Sequence, residues 1–292
     1  MKYIIRKILN KSKLYWIKIK FLFTSISFIN FPSSVKIQSP LKTIRDISNA
    51  IENKKRGAYL RFGDGDVNLL LGLDDLLQYS SNTFSYEMRE AFELNGDHIY
   101  KCLPIHSEKF GKEHDMRPGY HSSSDKWASS ILKKCFKYFI GEKIYSHVAL
   151  SYLAVSNEDA CIDFLKKIKS TNPIFVGNKD LKTDIVEKVL HPRDYIKTNP
   201  KFSYSEIDRI EKETMGAIDA SNDNFTLIVI AMGCAGRVLQ KRLLTKSSKN
   251  IFIFDFGSLL DILNGDETRA WMNTSLSNKQ IDYWENLVNK IN

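Results

Sequence analysis

Residues 227–231, Leu-Ile-Val-Ile-Ala, are apolar without a break and run directly into Met-Gly-Cys-Ala-Gly-Arg. A strand with no polar alternation is one covered on both faces, and that happens where helices flank a parallel sheet. The same unit recurs along the chain. Short apolar runs at 58–62, 99–105, 147–153, 173–177, 195–197 and 251–254 read as strands. Helical patterns separate them at 43–54, 84–94, 125–139 and 157–169, up to Val189, from Ser203 to Met215, and at 235–244. A last helix starts near Asn278, after Ser277 as its cap. Ser203 with Glu206 has the spacing of a capping box. The alternation predicts an α/β fold with a Rossmann-like, mostly parallel sheet and helices on both faces.

At 292 residues, 43% of them hydrophobic and 26% charged, the chain is long enough for a large buried core. The division expected is a basic segment and linker over 1–35, then a catalytic domain over 36–292. Residues 1–20 hold Lys2, Arg6, Lys7, Lys11, Lys13, Lys18 and Lys20 and no acid, a large part of the net charge of +9. Ile5, Ile8, Leu9, Trp16, Ile19 and Phe23 recur among them at helical spacing. The pattern is that of a basic amphipathic helix, suited to an anionic membrane surface or to packing on a partner. The apolar run at 21–29 is too short to span a bilayer of roughly 30 Å. The remainder is mildly basic and carries no nucleic-acid motif, so no nucleic-acid partner is expected. Cys102, Cys135, Cys161 and Cys234 are scattered, which points to a reducing, cytoplasmic setting. With the basic helix, that setting becomes peripheral on the inner face of the cytoplasmic membrane.

In sheets of this kind, ligands bind beyond the carboxyl ends of the strands. Four segments there carry chemistry. In Arg61-Phe62-Gly63-Asp64-Gly65-Asp66, two carboxylates stand one residue apart, and Gly63 and Gly65 permit a tight turn. Mg²⁺ and Mn²⁺ are usually held by one or two carboxylates plus substrate phosphates, so Asp64 and Asp66 are candidate metal ligands, with Arg61 a fixed charge beside them. The plainer reading is a surface turn in which both aspartates bond backbone amides. Gly233 and Gly236 open the helix after residue 231, where amides and the helix dipole favour an anion; Arg237 adds charge. Cys234 has no histidine near it in sequence and is expected to be inert. Asp255 ends a strand and can bind a sugar hydroxyl or act as a base, while Ser258 can cap the next helix. Asn178 and Lys179 can reach a base or phosphate, and Asp180 reads as an N-cap. The long stretch 106–126 holds His106, His114 and Asp115, candidate bases in an acceptor lid.

Three of these segments, in order and separation, resemble the bacterial GT-D-type glycosyltransferases. Leu-Arg-Phe-Gly-Asp-Gly-Asp at 60–66 is similar to the family's R-F-G-D-G-E, whose D-x-E binds the divalent metal beside the donor diphosphate. Ala-Met-Gly-Cys-Ala-Gly-Arg-Val-Leu at 231–239 resembles its glycine-started helix ending in V-L, and Asp-Phe-Gly-Ser at 255–258 its D-I-G-H. Asp66 replaces the usual Glu, and Ser258 replaces a histidine. The resemblance implies Mn²⁺ or Mg²⁺ on Asp64 and Asp66, and a nucleotide-sugar donor such as a UDP-sugar lined by Gly233, Gly236 and Arg237. It also implies a glycan or lipid-linked acceptor in the synthesis of surface polysaccharide. Another Rossmann-like transferase, for example a methyltransferase, or a non-catalytic membrane-bound scaffold are the alternatives.

Overall fold

The computed structural model describes residues 2–23, 38–103, 143–147, 149–265 and 280–291. Six parallel strands form one sheet in the order β2-β1-β6-β5-β3-β4. They are β1 (Gly57–Arg61), β2 (Ile99–Cys102), β3 (Ile174–Asn178), β4 (Asp194–Thr198), β5 (Thr226–Ala231) and β6 (Ile251–Asp255). Because all run one way, every carboxyl end lies along one edge.

Side chains alternate across the sheet, and each face has its own apolar layer. Ile251 and Ile253 of β6 and Ile228 and Ile230 of β5 join one layer with helices α3 (Asp64–Leu70), α4 (Asn82–Glu93), α8 (Ile207–Ala220) and α9 (Ala235–Lys246). Phe252 and Phe254 with Leu227 and Val229 join the other. That layer takes α2 (Pro40–Glu52), α5 (Ala149–Ser156), α6 (Glu158–Ser170), α7 (Thr183–Val189), α10 (Leu259–Leu263) and α11 (Gln280–Ile291). Helix starts follow local chemistry. Ser39 Oγ accepts from the Lys42 amide at 3.2 Å, with Pro40 in the first turn. Ser81 and Asn157 cap α4 and α6 in the same way. Helix α1 (Lys2–Phe23) precedes the domain.

Several sequence expectations change. The apolar run at 147–153 is not a strand: from Ala149 it is helix α5, buried along Ala149–Ala154 between α2 and α6. A short, largely apolar run carries no period that separates a buried helix from a buried strand. The chain instead pairs with β2 by a single bridge, Cys102 to Tyr145. Ser203 and Glu206 do not form a capping box. Ser203 opens a 3-10 turn and accepts from Gln78 Nε2 at 2.9 Å, while Glu206 accepts from the Asn199 amide at 2.8 Å. Lys182, not Asp180, holds the cap position of α7. The helix expected at 125–139, Ser277 and the 32–34 linker lie outside the described residues, as do residues 106–126.

Candidate active site

The ends of β1, β6 and β5 are neighbours, and the segments after them meet. Residues 61–66 do not form an open loop. Helix α3 begins at Asp64, with Gly63 as its cap residue. Asp66, in the first turn, accepts the Gly63 amide on Oδ2 at 2.7 Å. That is the backbone-bonding role weighed for it in sequence, and Asp66 is buried. Among the described residues, its Oδ1 makes no hydrogen bond and lies 3.5 Å from Arg237 Nε, which also makes none. The two face each other as an ion pair without a made bond. The Asp64 side chain lies outside the described residues.

Asp255, at the tip of β6, is the shared anion of two arginines. Arg237 Nη1 donates to its Oδ2, and Arg61 Nη1 stands 3.5 Å from its Oδ1. Arg61 Nε donates to the His147 carbonyl. Asp255 is therefore placed as a structural counter-ion, not as an exposed base; its carboxylate is buried and both oxygens face guanidiniums. Arg237 is likewise a strut between β6 and α3, not a free phosphate ligand. Burial works against its charge, but Asp255 and then Asp66 hold it, and its proton is bound more tightly than usual.

The glycines divide by purpose. Gly233 has φ +65°, a turn that L side chains resist. Gly236 serves packing: a Cβ there would sit 3.0 Å from Ile230 Cγ2 and 3.3 Å from Met232 Cγ. Gly257 has φ +69° and leaves the space through which the Arg61 guanidinium passes. Gly65 leaves space for Asp75, whose Oδ1 would be 2.7 Å from a Cβ at that position.

Asp75 was not singled out in sequence. It lies in the 71–80 loop, accepts from the Leu77 amide at 3.1 Å, and its charge raises the pKa of both Asp66 and Cys234. Its only sequence signal is its place in Gly-Leu-Asp-Asp at 72–75, a turn composition. Cys234 is held protonated chiefly by burial, then by Asp66 and Asp75, which agrees with an inert thiol.

Asn178 and Lys179 stand apart. Their strand, β3, is two places from β6 in the sheet. Asn178 Oδ1 accepts from the Asp180 amide at 2.9 Å, closing a turn, and Lys179 is exposed. Ser258 occupies the cap position of α10, where its side chain makes no capping hydrogen bond. Among the described residues, no group of three or more His, Cys, Asp or Glu side chains is arranged to hold a metal ion. A cation here would rest on the 64–66 pair, to which Asp66 offers one unbonded oxygen, and on ligand oxygens.

The Asp66 carboxyl lies above its ordinary value of 3.8, first through burial, with Arg237 and the Gly63 amide opposing. A raised folded-state value means that the group's contribution is full below the unfolded value and is lost as pH rises through the folded one. Asp66→Asn keeps an acceptor for Gly63 and removes the titration. Urea unfolding across a pH series should therefore show wild type losing stability relative to the variant as pH climbs above 3.8. Parallel curves for the two proteins would contradict the assignment.

No family model and no curated protein matches the chain in sequence. Solved structures do match in fold. A selenomethionine-substituted domain of unknown function 1792 superposes with a TM-score of 0.58 at 18% identity, over 77% of this chain and 79% of that one. A DUF1792 glycosyltransferase from Streptococcus sanguinis gives 0.55 at 18% identity, over 76% and 81%. A third, described as a distinct glycosyltransferase fold, gives 0.56 at 17%, over 77% and 79%. The fold is therefore similar to that of the DUF1792 domains, the GT-D architecture that the three motifs led us to expect.

Proposed function

We propose that the chain is a glycosyltransferase that moves a sugar from a nucleotide-diphosphate sugar, a UDP-sugar in the first instance, to a glycan or lipid-linked acceptor. One observation carries this reading. Three segments far apart in sequence, each ending a strand, converge on one buried ionic cluster at the carboxyl edge of a sheet. The likeness to glycosyltransferase domains supports it.

In this reading Asp64 and Oδ1 of Asp66, which faces Arg237 without a hydrogen bond, would hold Mn²⁺ or Mg²⁺. Such a cation, when bound, offsets charge on the departing diphosphate. The chain's own groups supply rigidity. Asp66 ties the start of α3 to the Gly63 amide. Arg237 and Arg61 tie Asp255 to α9 and to the carbonyl of His147. A site fixed before the donor arrives spends little free energy on reorganisation. For the base that takes the acceptor proton the sequence offers His106, His114 and Asp115, which lie outside the described residues. Synthesis of surface polysaccharide is the setting proposed.

The test is thermal unfolding with UDP plus Mn²⁺, compared with UDP plus EDTA and with S-adenosylmethionine. UDP and Mn²⁺ together at about a hundred times their dissociation constant should add about 2.7 kcal/mol, a rise of several degrees. S-adenosylmethionine should add nothing. Asp64→Asn should abolish the metal-dependent part and cut donor turnover by about a hundredfold or more. Stabilisation by S-adenosylmethionine instead would replace this reading with methyl transfer.

A further inference from the structure

Helix α1 meets the domain with its polar side. Asn10 Oδ1 accepts from the Asp74 amide at 3.1 Å, and Asn10 Nδ2 donates to the Asp74 carbonyl at 3.4 Å. Lys13 Nζ donates to the Gly72 carbonyl at 3.2 Å. Arg6 lies 3.8 Å from the Asp74 carboxylate and over the Tyr79 ring at 4.1 Å. An amphipathic helix that serves only the fold does the opposite and turns its apolar stripe inward. Here Ile5, Ile8, Leu9 and Trp16 are all more than half exposed, Ile8 at 61% and Trp16 at 66%. The loop that receives α1 adds Leu76, 92% exposed. Residues 1–20 hold seven basic residues and no acid; Arg6 and Lys13 face the domain, while Lys7 and Lys11 are exposed.

We infer that α1, together with Leu76, docks the protein on an anionic lipid bilayer surface. The stripe is suited to the acyl boundary, and the lysines beside it reach the headgroups. Charge selects the occupant: a helix with seven cations and no anion repels a second copy of itself and is drawn to an acidic surface. No helix among the described residues is long and apolar enough to cross a membrane, so the contact is in the plane of the interface. The receiving loop also carries Asp75, packed against Gly65. Docking therefore brings the 64–66 turn close to the bilayer, where a lipid-linked acceptor would lie. That last consequence rests on the glycosyl-transfer reading; the binding itself does not.

The test is co-sedimentation of the full chain with phosphatidylcholine vesicles, with and without phosphatidylglycerol, at low and high salt. Binding is expected only with phosphatidylglycerol and should weaken with salt. Ile8→Asp with Trp16→Asp should lower the partition by about tenfold or more. The same variant should keep the wild-type melting temperature and its response to UDP plus Mn²⁺, since both side chains are exposed. Equal binding by the variant, or equal binding to neutral vesicles, would overturn the inference. So would a dimer in sedimentation velocity that the variant dissolves, since that assigns the stripe to a second copy. Lost vesicle binding with an intact UDP response separates failure of docking from failure of the transfer reading.

Discussion

Arg237→Ala should lower stability by about 3–5 kcal/mol in urea unfolding, far beyond what an exposed arginine costs. The reason is what remains behind. Among the described residues, Asp255 keeps only Arg61 at 3.5 Å and Asp66 Oδ1 loses its nearest cation, both in buried surroundings. A buried pair is weak evidence of net stabilisation, but breaking one from a single side strands the partner. Arg237→Lys should recover only part of the loss, because an ammonium cannot present one nitrogen to Asp255 and another to Asp66. Adding Asp255→Asn to the alanine variant should restore some stability by removing the stranded charge. Arg209→Ala is the control. Its partners Glu206 and Glu213 are half-exposed or more lightly buried, and the expected cost is below about 1 kcal/mol. An Arg237→Ala variant no weaker than that control would show that the cluster is not held by this residue.

Phe254→Ala should cost about 3–5 kcal/mol, through a cavity and not through charge. Phe254 is fully buried on β6. Its ring stacks on Tyr59 at 5.2 Å and meets Phe164 at 5.2 Å and Phe256 at 6.2 Å edge-on. Those partners come from β1, from α6 and from the turn beyond β6, so little can collapse into the space. The residue after it is Asp255, so the variant also loosens the strand that carries the cluster's anion. Tyr86→Ala, at a well-exposed aromatic, should stay within about 0.5 kcal/mol of wild type. Guanidinium unfolding of the pair gives the comparison. A small loss at Phe254 would mean that this face of the sheet repacks freely.

Much of the fold was legible because its signals are local. Buried strands announce themselves by unbroken apolar runs, and helices by caps such as Ser39, Ser81 and Asn157. The error at 147–153 has the same origin: a largely apolar run of seven residues suits a buried helix equally well. That the segments after β1, β5 and β6 end along one edge was also legible, since the strands of a parallel sheet all run one way.

The amino-acid order alone indicated most of the strands and the turns after them, and where the charged groups sit along the chain. Only the folded arrangement decided what those charges do. Strand order puts β6 between β1 and β5, and so sets Asp255 between Arg61 and Arg237. The same packing set Asp75 against Gly65 and turned the polar side of α1 toward the domain. Local periodicity reports a residue's exposure to its own helix or strand. It holds no record of which distant side chain arrives within 4 Å, and over such distances the nearest opposite charge determines whether an aspartate is a base, a ligand or a counter-ion.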